Sequence, residues 1–205
     1  MTSSALIRTA LGSALACAMV AAPALAQDAS RAPLTLASAK VTLAGTSNIH
    51  DYTASTTTVR VTKLQVASGL NGDLLSAVLA PGALQAFEIA IPAASLHSPK
   101  EGLDKNMHKA LKVKEHADIV FRLARLEPKG QALRAIGTLR IAGVEKEVAF
   151  DLATAVKGDR LVVTGSVDLL MTDFGIAAPK AMMGMLRTDP MVTVPFETVL
   201  STPLT

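Results

Sequence analysis

Ser47, His50 and Asp51 bring a hydroxyl, an imidazole and a carboxylate within five positions of one another, the types from which a nucleophile, base and orienter are assembled. On an extended strand Ser47 and Asp51 project to one side and His50 to the other, so these three are not expected to form that relay among themselves. No oxyanion loop accompanies them. The four histidines, His50, His97, His108 and His116, show neither His-x-His nor His-Glu-x-x-His spacing, so a metal site would have to be assembled across strands. The sequence therefore predicts neither a catalytic residue, a metal nor a cofactor, and His50 reads as a rim histidine bonded to backbone or to a ligand head group. A third cluster, Met182, Met183 and Met185, lies between Pro179 and Pro190, and its flexible thioethers suit a mobile lid over an apolar mouth.

What must position these residues follows from composition and periodicity. With 20 Lys+Arg against 17 Asp+Glu, the net charge of +3 is too small for a nucleic-acid footprint. The single Cys and the lack of Trp exclude a disulfide framework and an aromatic stacking platform. Arg8 precedes an uncharged stretch, residues 9–27, that ends in the small-residue site Ala24-Leu25-Ala26. This is the pattern of a secretory leader cleaved after Ala26, so residues 1–26 are set aside and periplasmic export is expected. Residues 27–33 read as a tail and 34–202 as one domain.

Within that domain the dominant signal is alternation with a period of two. Phe87, Ile89 and Ile91 share a face; so do Ile119, Phe121 and Leu123; so do Leu133, Ala135, Gly137, Leu139 and Ile141; so do Val148, Phe150 and Leu152; and so do Leu161, Val163, Gly165, Val167, Leu169 and Met171. Turn residues at 128–130, 142–143 and 157–159 punctuate these runs into an antiparallel meander. With further runs near 34–46, 53–66 and 190–200 the count reaches eight strands, which fits a closed barrel holding one apolar ligand or a two-sheet sandwich. Small inward residues, Ala135, Gly137 and Gly165, are expected to leave volume for that ligand. Residues 102–113 break the rule: Leu103, Met107 and Leu111 recur at helical spacing, so an amphipathic helix covering one end of the barrel is expected. Its other face carries Lys105, Lys109 and Lys112, and Asp104 is spaced to pair with His108.

Three stretches in order carry a family resemblance. Residues 137–148 are similar to the hairpin of the YceI-like family, residues 172–176 (Thr-Asp-Phe-Gly-Ile) to its Ser-Asp-Phe-Gly-Ile turn, and residues 103–121 to its helix leading into a strand. The sequence departs from the family pattern at Leu170-Met171, where an arginine is usual, and at residues 45–52. The resemblance implies an all-β, eight-stranded antiparallel, lipocalin-like barrel enclosing a tunnel for an isoprenoid or similar lipid, and it implies no catalytic residue.

The expected function is a non-enzymatic periplasmic carrier that holds an isoprenoid, quinone-like or other lipid tail and makes transient contact with a membrane surface. The expected ligand contacts are Phe87, Ile89, Phe121, Leu123, Phe150, Leu169, Met171 and Phe174, with Met182, Met183 and Met185 at the mouth and His50 on the rim. Two other classes compete. A packed barrel docking a membrane partner through Lys105, Lys109 and Lys112 predicts a filled interior, and a metal-assisted hydrolase predicts bound metal.

Overall fold

The period-two runs become strands that pair mostly with their neighbours in sequence. The computed structural model describes residues 34–181 and 186–202. Its strands are β1 (Thr35–Ser47), β2 (Tyr52–Thr56), β3 (Arg60–Val66), β4 (Leu84–Pro92), β5 (Asp118–Lys129), β6 (Ala132–Ile141), β7 (Val144–Lys157), β8 (Arg160–Leu170), β9 (Lys180–Ala181) and β10 (Leu186–Ser201), with helices α1 (Leu74–Ala77) and α2 (Glu101–Ala110). Nine of the strands form one curled antiparallel sheet in the order β2-β1-β10-β8-β7-β6-β5-β4-β3, and β9 pairs with the start of β10.

The expected run at 53–66 is two strands. The Thr58 amide donates to the Thr56 hydroxyl at 3.0 Å, and that hydroxyl meets the Ser95 hydroxyl at 2.8 Å. This side-chain turn breaks a β-branched stretch that reads as continuous. The break has a large consequence, because β2 and β3 become the two ends of the sheet although three residues separate them. The sheet must therefore curl back on itself. Beyond β4 the chain returns to the edge of β2, where the Ser55 and His97 backbones exchange hydrogen bonds of 2.8 and 3.0 Å.

One face of the curl is apolar and inward. Phe121 of β5, Phe150 of β7 and Phe196 of β10 meet there, with ring centroids 5.4 and 5.6 Å apart in tilted and edge-on contacts. Gly137 and Gly165 make room for these rings rather than for a ligand, which corrects the expectation from sequence. A methyl group at Gly137 would overlap the Phe121 ring and the Arg122 carbonyl, and one at Gly165 would come within 2.6 Å of the Phe196 ring. The outer face is charged. Arg122 bridges Glu88 at 2.6 Å and Glu145 at 2.9 Å, tying β4, β5 and β7 together across the surface.

The two ends differ. At one, α1 is started by Asp73, whose carboxylate accepts from the Ser76 amide at 3.1 Å. Its Leu75, with Val78, packs on Leu34, Leu161 and Leu200. At the other, α2 lies with Met107 and Leu111 against Leu96, Ile141, Leu169, Phe174 and Ile176. The helix stops at Ala110, earlier than the expected 113, because Lys112 takes a left-handed backbone (φ 53°) and reverses the chain.

Candidate functional site: a barrel chamber and its vestibule

The inward face encloses a cavity of about 220 Å³, and among the described residues the only polar side chains on its wall are Thr154 and Thr198. Five of the expected contacts lie on that wall: Phe87 and Ile89 from β4, Phe121 and Leu123 from β5, and Phe150 from β7. Sequence reading stopped at Leu123 on β5, but Leu126 also faces in. A bulge between Leu123 and Arg125 inserts one residue and resets the alternation. On β10, Val194, Phe196, Thr198 and Leu200 alternate inward and belong to the same wall. Their period-two spacing is visible in the sequence.

A second space, of about 730 Å³, lies between α2, the turn after β1, and the chain after β8. Leu169, Met171 and Phe174 line this vestibule rather than the inner chamber. Leu43, Leu111 and Ile141 border both spaces, so they form the partition between chamber and vestibule. Met182, Met183 and Met185 lie outside the described residues.

The vestibule is where the polar candidates gather. Ser47, His50 and Asp51 all border it, because residues 48–51 are a turn and the strand alternation expected there does not apply. The Ser47 hydroxyl donates to the main-chain carbonyl of His50 at 2.7 Å and accepts from the His50 amide at 3.1 Å. It locks the turn and is not aimed at an imidazole. His50 Nε2 faces Lys100 Nζ at 3.4 Å. Across β1–β2, the Tyr52 ring covers Gly45. Burial, and then the charge of Asp189, raise the Tyr52 hydroxyl above its ordinary pKa, so the group remains a donor at the vestibule wall.

The expected Asp104–His108 pair does not form. Asp104 instead accepts from the Ser98 amide at 2.7 Å and meets His97 Nδ1 at 3.1 Å, while His108 Nε2 contacts the Leu96 carbonyl at 2.8 Å. Hydrogen bonding from Ser98, and then from His97, holds the Asp104 carboxyl below the ordinary range. His97 and His108 stand edge to face at 5.8 Å. Among the described residues no group of three or more His, Cys, Asp or Glu side chains is placed to hold a metal ion. His116 packs over Gly143 in the two-residue β6–β7 turn, where Ala142 and Gly143 both have positive φ (48° and 84°), the pattern of a tight hairpin connection. No helix among the described residues is long and apolar enough to cross a membrane.

A curled antiparallel sheet around an apolar chamber, with a helix over one end, defines the class: a lipocalin-like shell. The sequence pattern of the YceI-like domain matches residues 41–200, and the chain belongs to that family. Among solved structures it is similar to BcnA of Burkholderia cenocepacia, with a TM-score of 0.62 at 14% identity over 78% of this chain and 95% of that one. A polyisoprenoid-binding domain from Saccharophagus degradans gives a TM-score of 0.60 at 10% identity, over 84% of this chain and 100% of that one. The YceI protein of Campylobacter jejuni gives 0.51 at 17% identity, over 72% and 85%. At these identities the likeness is one of fold. None of the curated proteins compared matches the chain.

Proposed function

We propose that this protein is a non-enzymatic periplasmic carrier whose chamber holds the tail of an isoprenoid, quinone-like or other lipid. One observation carries the reading: the centre of the sheet is an apolar cavity of about 220 Å³, not a packed core. An empty space of that size forfeits packing contacts on every wall, and a hydrocarbon segment restores them. The chamber is larger than the ~150 Å³ apolar cavity that stays dry and takes up benzene, and smaller than the ~300–1,000 Å³ of ordinary ligand sites. A whole ligand would therefore extend past Leu43, Leu111 and Ile141 into the vestibule. The likeness in fold to the polyisoprenoid-binding domain of Saccharophagus degradans supports the choice of ligand class.

Because a lipid leaving a bilayer has already escaped water, the chamber need only match the membrane interior in free energy. This favours reversible carriage over capture from water. Native mass spectrometry of the protein from a lipid-rich host should find an extractable apolar molecule, and the stripped protein should take up a fluorescent lipid probe. Failure of both sinks the proposal. Export is supported by Arg8, the uncharged residues 9–27 and the Ala24-Leu25-Ala26 site; sequencing the mature protein should begin at Gln27.

A further inference from the structure

From the outer surface around the vestibule we infer that this protein docks mouth-first on an anionic lipid bilayer, with Ile49 as an apolar anchor and Lys105, Lys109 and Lys112 facing the lipid phosphates. The inference goes beyond the carrier reading and needs no ligand in the chamber. Among the described residues three large hydrophobic side chains are exposed, Ile49 at 59%, Met191 at 46% and Val156 at 42%. The first two lie at the vestibule end. Met191 adjoins Val192 of the vestibule wall, and Ile49 stands in the turn whose Ser47, His50 and Asp51 border that space. Ile49 itself is not on the wall, so its side chain is presented outside the cavity.

The turn holds Ile49 out rigidly. The Ser47 hydroxyl accepts from the Ile49 amide at 3.3 Å and from the His50 amide at 3.1 Å. The Asn48 side-chain oxygen accepts from the Arg187 amide at 2.8 Å, and the Asn48 amide donates to the Arg187 carbonyl at 3.1 Å. Turns of this kind ordinarily carry small or polar residues. Here a braced loop shows an isoleucine to water, and the ordering that insertion requires is in place before contact.

Beside it lies the basic part of the chain. Residues 100–115 hold five lysines against Glu101, Asp104 and Glu115, a net of 5 − 3 = +2, whereas the whole chain carries only +3. All five lysines are exposed, and among the described residues none enters an ion pair. On the sheet, by contrast, Arg60, Arg122, Arg125, Lys129 and Arg134 each meet a carboxylate. The helix dipole favours cations at the C-terminal end of α2, which accounts for Lys109 and Lys112 but not for Lys105. Lys105 also lies off the vestibule wall, so its charge is outside the cavity, as the Ile49 side chain is.

An acidic protein is the other partner such a face could meet. Protein interfaces are anchored by aromatic side chains and arginines seated in pockets, and no aromatic ring is among the exposed large hydrophobics. Lysines on flexible stems instead suit a fluid array of phosphates, and at a bilayer apolar insertion and electrostatic attraction add. Docking in this pose sets the opening against the hydrocarbon that supplies the tail, which then passes inward with little exposure to water.

The chain has no tryptophan, so a single introduced indole reports which end touches lipid. With vesicles of brominated phosphatidylcholine and an equal part of phosphatidylglycerol, Ile49→Trp should shift to the blue and be quenched. Val156→Trp, beside the floor residue Leu161, should show neither. Lys105→Gln, Lys109→Gln, Lys112→Gln together should weaken vesicle partitioning about tenfold or more at low salt. The same charge removed at the exposed Lys40, Lys63 and Lys157 should change it less than about twofold. Ile49→Ser should weaken it several-fold. Equal losses from the two lysine sets, or equal quenching at both indoles, overturn mouth-first docking. So does a lack of binding to the anionic vesicles, which would leave an acidic protein as the partner of this face. Farnesol, an isoprenoid alcohol, titrated without vesicles tests the carrier reading separately. Its affinity should be unchanged in Ile49→Ser, and a failure to bind farnesol would count against the carrier reading without touching the docking result.

Discussion

The two ends of the curled sheet bury their apolar side chains almost equally but pack them differently. Around α1, Leu75, Val78 and Leu161 are each 1% exposed; Val78 and Leu161 line the floor of the chamber, and Leu75 packs with them without reaching it. Under α2, Leu111 and Phe174 are 7% and 3% exposed, yet both border a space of about 730 Å³. A four-residue helix seals its end with leucine side chains, whereas the ten-residue helix stands off and leaves a vestibule. Low exposure alone does not distinguish a core from a binding site; what lies beside the buried group does. Stability should concentrate at the floor and ligand selection at the mouth.

The largest effect is expected at the floor. Leu75→Ala should cost about 2–5 kcal/mol, as full truncation of a leucine in a closed core does, read by urea unfolding. Affinity of the folded protein for farnesol should stay within a factor of about two, since Leu75 does not line the chamber. A variant that keeps its stability but loses the probe would reverse the assignment of the two ends.

Next come the chamber walls. Gly137→Ala should cost about 1–3 kcal/mol through overpacking, because the added methyl meets a backbone carbonyl and a phenyl ring that cannot both retreat. If the ring is the stiffer obstacle, the same substitution in a Phe121→Leu background should cost measurably less, and a double-mutant cycle on thermal melting reads that difference. Additive costs would place the strain on the Arg122 carbonyl instead.

Most of the walls were legible because alternation on β4 to β8, away from the β5 bulge, assigns a face to each residue. Phe87, Ile89, Phe121, Leu123 and Phe150 needed no more than that. Leu126 was not legible, since a bulge leaves no mark in a hydrophobic pattern. Gly137 and Gly165 were read as vacancies because sequence shows a missing side chain but not the neighbour that fills its place. The vestibule was hardest, being assembled from the turn after β1, the segment before α2 and the chain after β8, which meet only through the curl of the sheet. Lys109 and Lys112 were recognised as a basic helix face, but nothing in the helical period placed Lys100 beside them and left Lys105 off that wall.

At the partition the comparison sharpens. Leu111→Ala should cost only about 1–2 kcal/mol, less than a leucine in a closed core, because space already flanks Leu111 on both sides. Leu111→Trp should leave the fold in place and slow or block entry of the farnesol tail. Stopped-flow uptake of a fluorescent lipid probe separates the two variants, with faster uptake expected for alanine and slower for tryptophan. Identical rates would mean that tails enter elsewhere.

The smallest effect concerns the attachment of α2, through Asp104 and its bonds to Ser98 and His97. Its folded carboxyl titrates below the ordinary aspartate value of about 3.9. Its ionised form therefore contributes stability that is fully present above about pH 4 and is lost as pH falls through the depressed folded value. Asp104→Asn keeps the shape and removes the titration. Asp104→Asn should lower the melting temperature by a constant small amount between pH 7 and about pH 4, and the gap from the unsubstituted protein should close below that. A gap that persists at the acid end would mean that shape or packing, rather than the charge on Asp104, secures the helix over the vestibule.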